Sequence, residues 1–143
     1  MKRESKGTLK TAAGFTLIEL LIIVVIVGIL AAIAIPRFTR MKQETFDATA
    51  RSDIYSMMRV EEAHFLATQA YVTSTIAAGG STDLDGDGTV DFQASRNVAL
   101  TVTAYEDGYR ITAKHAASQR TWCLNSSTSA TDVIGEIVEA SSC

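Results

Sequence analysis

From Leu20 to Ile35 the chain runs through sixteen consecutive residues without a charged or hydrogen-bonding side chain. The apolar stretch opens earlier, at Phe15, and its 21 residues, FTLIELLIIVVIVGILAAIAI, would span roughly 30 Å as a helix, about the thickness of a bilayer's hydrocarbon core. Gly28 lowers helix propensity there, and Pro36 removes a backbone donor and kinks the chain, so the two bracket its weakest stretch. Beyond Pro36 the pattern turns from uniform to periodic. Residues 37–72 hold no further proline or glycine, and Phe46, Ala50, Ile54, Met57, Met58 and Phe65 recur at spacings mostly of three and four, which predicts an amphipathic helix. Phe15, Phe38, Phe46, Tyr55, Phe65 and Tyr71 all fall on this rod, and packing accounts for them.

The period then changes to two. Thr73 to Gly80 is small and polar and reads as a loop leaving the helix. Asn97 to Ala104 places Val98, Leu100, Val102 and Ala104 on one face, Glu106-Asp107-Gly108 reads as a turn, and Tyr109 to His115 resumes the alternation: a β-hairpin. Arg120 to Leu124 and Asp132 to Val138 can supply one or two more strands. The fold class expected is α+β, a long N-terminal helix, half of membrane-spanning character and half amphipathic, packed on a small antiparallel β-sheet over 73–143.

With 143 residues the chain is one domain in size, and 13 Lys plus Arg against 16 Asp plus Glu give a net charge of −3. The total hides an asymmetry. Residues 1–14 carry Lys2, Arg3, Lys6 and Lys10 against Glu4, which leaves nine basic and fifteen acidic residues beyond them. That balance gives no global reason to expect nucleic acid as a partner, although Arg96, Arg110, Lys114 and Arg120 could form a local basic patch. The basic leader favours a cytoplasmic N-terminus, a bias weakened by Arg37, Arg40 and Lys42 on the far side. A secretory signal peptide has a shorter apolar region that precedes its small-residue cleavage site, whereas here small residues come first.

Glu19 interrupts the apolar run. A carboxylate in a membrane helix costs a few kcal/mol and reads by default as functional; the alternative is a side chain near the headgroups that stays wet. Gly14-Phe15-Thr16-Leu17-Ile18-Glu19, behind a short basic leader and ahead of an unbroken apolar run to Pro36, closely resembles the N-terminal signature of type IV pilins. The resemblance covers residues 7–40 almost without departure and the remainder only in general layout.

It implies a prepilin whose leader, 1–14, is removed by a membrane peptidase cutting between Gly14 and Phe15, with N-methylation of Phe15. It implies that Glu19, the fifth mature residue, pairs with the N-terminal amine of a neighbouring subunit, which supplies the partner a buried carboxylate needs. It implies a single-pass inner-membrane precursor, handed by an assembly platform into an extracellular helical homopolymer whose core is the segment 15–36, loosened between Gly28 and Pro36. Heterologous contacts that do not close generate such open polymers. The function expected is a structural subunit of a filament serving adhesion, twitching motility or DNA uptake. Alternatives are a minor pilin or a type II secretion pseudopilin and, in another class, a membrane-tethered calcium-binding module that never polymerises.

Cys123 and Cys143 close a loop of 21 residues rich in Ser and Thr. In an extracytoplasmic protein a bridge between them is favoured over free thiols and contributes about 3 kcal/mol on a loop-entropy estimate. Type IV pilins commonly carry such a C-terminal disulfide loop. Within the acidic loop 83–94, Asp83, Asp85 and Asp87 fall at every second residue, with Gly88 at the sharp turn, the Thr89 carbonyl at the seventh position of a calcium loop and a further carboxylate at Asp91. The pattern resembles EF-hands and related extracellular calcium loops. It departs from an EF-hand at its twelfth residue, Ala94, where that motif has a glutamate, and no helix obviously enters it. A structural calcium site or a solvated acidic turn are the two readings.

No catalytic residue or organic cofactor is expected. His64 and His115 read as surface residues, Ser126 and Ser127 lack a nucleophile elbow, and Asn125-Ser126-Ser127 matches the glycosylation pattern only as three letters do by chance.

Overall fold

The structure, a computed structural model, describes residues 14–128 and 134–139. The chain forms two compact bodies, up to Phe38 and from Thr39 onward, and one helix, α1 (Leu17–Thr68), runs through both with Pro36 inside it.

Thr16 starts the helix. Its hydroxyl accepts the Glu19 backbone N–H at 3.3 Å and lies 3.5 Å from the Glu19 carboxylate, a variant of the capping box that places an acid in the first turn, where the helix dipole favours one. At the other end, Gln69 takes the left-handed conformation (φ 59°) and donates its N–H to the Phe65 carbonyl at 2.7 Å, the αL form of C-cap. The helix therefore stops at Thr68, four residues short of the boundary expected from periodicity.

In the second body α1 packs on an antiparallel sheet. The strands are β1 (Ser74–Ile76), β2 (Ser81–Thr82), β3 (Phe92–Gln93), β4 (Val98–Tyr105), β5 (Gly108–His115), β6 (Trp122–Asn125) and β7 (Ile137–Glu139). Five of them form one sheet in the order β1-β4-β5-β6-β7, while β2 and β3 pair separately. The β4–β5 hairpin is the expected one, in register from Val98 opposite His115 to Tyr105 opposite Gly108. Its turn is only Glu106-Asp107, because Gly108 already belongs to β5. Glycine is required there by crowding: a Cβ would come within 2.8 Å of the Ser127 backbone.

β1 lies inside the stretch expected to be loop. Ser74, Thr75 and Ile76 pair with Val102, Thr101 and Leu100, a short edge strand that returns the chain along the sheet directly after the helix. The strands expected near 120–124 and 132–138 appear as β6 and β7, although residues 132 and 133 lie outside the described residues.

Alternation decides the core. Val98, Leu100 and Val102 of β4 and Tyr109, Ile111 and Ala113 of β5 are buried against Ala50, Ile54 and Met57 of α1, with Ile76 and Leu124 completing the layer. Each fully buried aliphatic side chain contributes about 1.5–3 kcal/mol by leaving water.

Candidate functional site

Gly14 and Phe15, the residues flanking the expected cleavage, are both exposed, and Phe15 stands 75% open. Every large apolar side chain from Leu17 to Ile35 is exposed as well. An apolar surface of this extent marks a membrane or protein contact, and α1 is long and apolar enough to cross a bilayer. Gly28 has nothing within 4 Å of where a Cβ would sit, so no close approach within the monomer demands glycine there. Glu19 sits at the mouth of this surface, tied only to Thr16 among the described residues.

The acidic loop is the tip of the β2–β3 ribbon, which brings Thr82 opposite Phe92. Asp83, Asp85 and Asp91 offer carboxylate oxygens that all lie within 4.8 Å of one another, exposed to solvent. The loop is built by side chains accepting its own backbone: Asp83 takes the N–H groups of Gly86 (2.7 Å) and Gly88 (2.8 Å), and Asp91 takes that of Leu84 (2.7 Å). Gly86 and Gly88 are at φ 75° and 90°, a region that disfavours any side chain. Asp87 lies outside that group of three, and one of its carboxylate oxygens accepts both the hydroxyl and the N–H of Thr89. Those bonds hold its carboxyl below the usual range. Three of the four aspartates thus converge and the fourth fixes the turn. All donors in the converged set are hard carboxylate oxygens, the set a calcium ion takes.

Cys123 is fully buried in β6; Cys143 lies outside the described residues. Asn125 is also fully buried, its amide donating to the Ser127 carbonyl and accepting the Ser127 N–H, each at 3.1 Å, so the glycosylation match is a structural turn. Both histidines serve the fold. His64 Nδ1 donates to the Ala70 carbonyl at 3.0 Å. His115, expected at the surface, is instead buried: it stacks on Phe46 with centroids 4.3 Å apart and accepts the Ala117 N–H at 3.1 Å.

Sequence reasoning missed three carboxylates on the buried stripe of α1. Asp47 accepts the Ser118 hydroxyl at 2.5 Å and pairs with Arg120 at 3.3 Å. Asp53 accepts both the N–H and the hydroxyl of Ser95 at 2.7 Å. Glu61, with no exposed surface, accepts the Val72 N–H at 3.1 Å through one oxygen and leaves the other without a partner among the described residues. Burial pushes the Glu61 carboxyl up, against the pull of that N–H. Asp47 and Glu61 stand three or four residues from Ala50 and Met57 of the apolar stripe, and Asp53 stands three from Ala50 and beside Ile54, the signal that would have placed them on the inner face. At the next residue, Glu62 accepts the Tyr109 hydroxyl at 3.0 Å, and burial together with that carboxylate pushes the phenol well above its usual range.

An exposed apolar helix opening on Gly-Phe-Thr-Leu-Ile-Glu and continuing into a small β head defines a prepilin-like class of protein. Residues 9–35 match the model of the prokaryotic N-terminal methylation motif. A fimbrial protein of Pseudomonas aeruginosa is 37% identical over 102 residues, 66% of this chain and 66% of the relative. The type IV major fimbrial protein FimA of Dichelobacter nodosus is 38% identical over 82 residues, 57% of this chain and 53% of that one. The type IV major pilin protein PilA of Myxococcus xanthus is 40% identical over 58 residues, 41% of this chain and 26% of its own length. The chain belongs to the type IV pilin family.

Proposed function

We propose that the protein is a non-enzymatic structural subunit of a type IV pilus, inserted in the inner membrane as a precursor, cut by a prepilin peptidase between Gly14 and Phe15, methylated at Phe15 and polymerised outside the cell. The observation that carries this reading is the unbroken exposed apolar face from Leu17 to Ile35 on a helix whose lower half alone is folded against a head. Such a face stays out of water in lipid before assembly and in a filament core after it. Glu19 then meets the amine of the neighbouring Phe15, while Gly28 and Pro36 let the helix loosen between them. Adhesion, twitching motility and DNA uptake are the roles such a filament serves.

Mass spectrometry of fibres sheared from producing cells tests this. The expected subunit begins at methylated Phe15, is abundant, and gains two protons on reduction, which would establish the Cys123–Cys143 bridge at the same time. A processed chain absent from fibres and retained in the inner membrane identifies a pseudopilin or minor pilin instead; residues 1–14 still attached would overturn processing.

The acidic loop adds a structural calcium site to this reading, supported by the convergence of Asp83, Asp85 and Asp91. Millimolar calcium is expected to raise the melting temperature of the full chain in detergent relative to chelator. Equal melting in both removes the metal and leaves a solvated turn.

A further inference from the structure

The head carries complementary features at its two ends. At one end, where α1 finishes and the β4–β5 hairpin turns, a groove of about 650 Å³ is walled by Phe65, Tyr71 and Tyr105, with Gln69 and Glu106 at its rim. The walls are fixed: Phe65 stacks on Tyr71 at 4.5 Å, and Tyr71 meets the edge of Tyr109 at 4.9 Å. No basic residue lines it among the described residues. Glu61 and Glu62 lie close enough to Tyr71 to help raise its phenol, after burial, so the groove combines aromatic faces with a negative field. Glu106 is exposed and has no hydrogen-bond or ion-pair partner among the described residues. Aromatic faces beside a carboxylate are the chemistry that holds an organic cation, guanidinium above all.

At the opposite end of the head, where Phe46 stacks on His115, Arg40 lines a second hollow with Gln43, Glu44 and Arg120. Arg120 is engaged by Asp47. Arg40 is exposed and, among the described residues, makes no hydrogen bond or ion pair. The 25 residues of α1 from Arg40 to Phe65 set these features roughly 38 Å apart, too far to meet within one chain and correctly placed to meet between two chains displaced along the helix.

We propose that the aromatic groove receives Arg40 of a second copy of this chain, its guanidinium lying over the aromatic walls and pairing with Glu106. The contact is heterologous and does not close, so it repeats along a polymer. It deepens the filament reading and rests on it.

The test is a double-mutant cycle on the full chain in fibre-producing cells, read as the amount of subunit in sheared fibres. Arg40→Gln and Glu106→Gln are each expected to lower it about tenfold, the double variant no further than either single, and the exchange Arg40→Glu with Glu106→Arg to recover it to within about twofold of the parent. Losses that multiply in the double variant, or an exchange that recovers nothing while the parent makes fibres, overturn this inference and leave the filament reading standing. A parent without fibres overturns both. Trp122 is the chain's one tryptophan and lies in β6, so its emission reports on the head. It is expected to be unchanged in every variant, and a shift would show that these residues serve the monomer's own fold and would count against the contact.

Discussion

Leu17 to Phe38 and Thr39 to Thr68 belong to one uninterrupted helix, yet they treat apolar and acidic side chains in opposite ways. In the first segment leucines, isoleucines and valines lie open all round, and the single acid, Glu19, stands at the N-terminus, where the helix dipole accommodates it. In the second, Ala50, Ile54 and Met57 are covered by the sheet, and Asp47, Asp53 and Glu61 are buried on the same stripe. What separates the segments is the supply of partners: the head brings its own, a sheet for the apolar groups and backbone N–H and hydroxyl donors for the carboxylates, whereas the first segment must find its partners in lipid or in other subunits.

Truncating one apolar side chain in each segment should sharpen that contrast most. Ile54→Ala leaves a cavity between helix and sheet and is expected to destabilise the head by about 2–5 kcal/mol. Leu21→Ala, on an exposed position, should leave the Trp122 unfolding transition within about 0.5 kcal/mol of the parent. Equal losses for the two would mean that the first segment is packed after all.

A smaller effect is expected at Asp53. Replacing it by alanine strands the Ser95 N–H and hydroxyl that it now receives at 2.7 Å, a loss of about 1–3 kcal/mol. An unchanged denaturant midpoint would show that water takes the place of the carboxylate.

The smallest effect is one of pH, at Glu61. Its carboxyl is raised in the folded state by burial, so the folded chain holds a proton more tightly than the unfolded chain does. That contribution is fully present below the unfolded carboxylate pKa and is lost as pH rises through the folded one. Glu61→Gln removes the titration, and the variant should gain on the parent as pH rises from the acid range towards neutrality. A difference that stays flat with pH would contradict the burial argument.

Much of this was legible in the sequence. The β4–β5 hairpin could be read because a half-buried strand must alternate, and the N-terminal motif because residue type and order are unusually restrictive there. β1 and the β2–β3 ribbon were not legible: with two or three residues each, they hold their place through pairing with distant partners, which no local pattern carries. The buried carboxylates were hidden for a different reason. Apolar periodicity assigns every acid to the wet face, and it is the Ser95, Ser118, Arg120 and Val72 donors, supplied from outside the helix, that make an inner position tolerable. Of the acidic loop, the alternation was visible, but the withdrawal of Asp87 towards Thr89 is a local competition between backbone and side chain that spacing does not decide.

The proposed polymerisation of the exposed segment through Glu19 is tested by the fibre content of cells producing Glu19→Ala beside the parent, with membrane content of processed subunit as the reference. An unpaired neighbouring amine in an apolar filament core costs about 3–5 kcal/mol, so the variant should insert and be cut normally yet lose fibres by about a hundredfold or more. Fibres at parental level would show that Glu19 does no more than cap its own helix through Thr16, and would contradict assembly through this carboxylate.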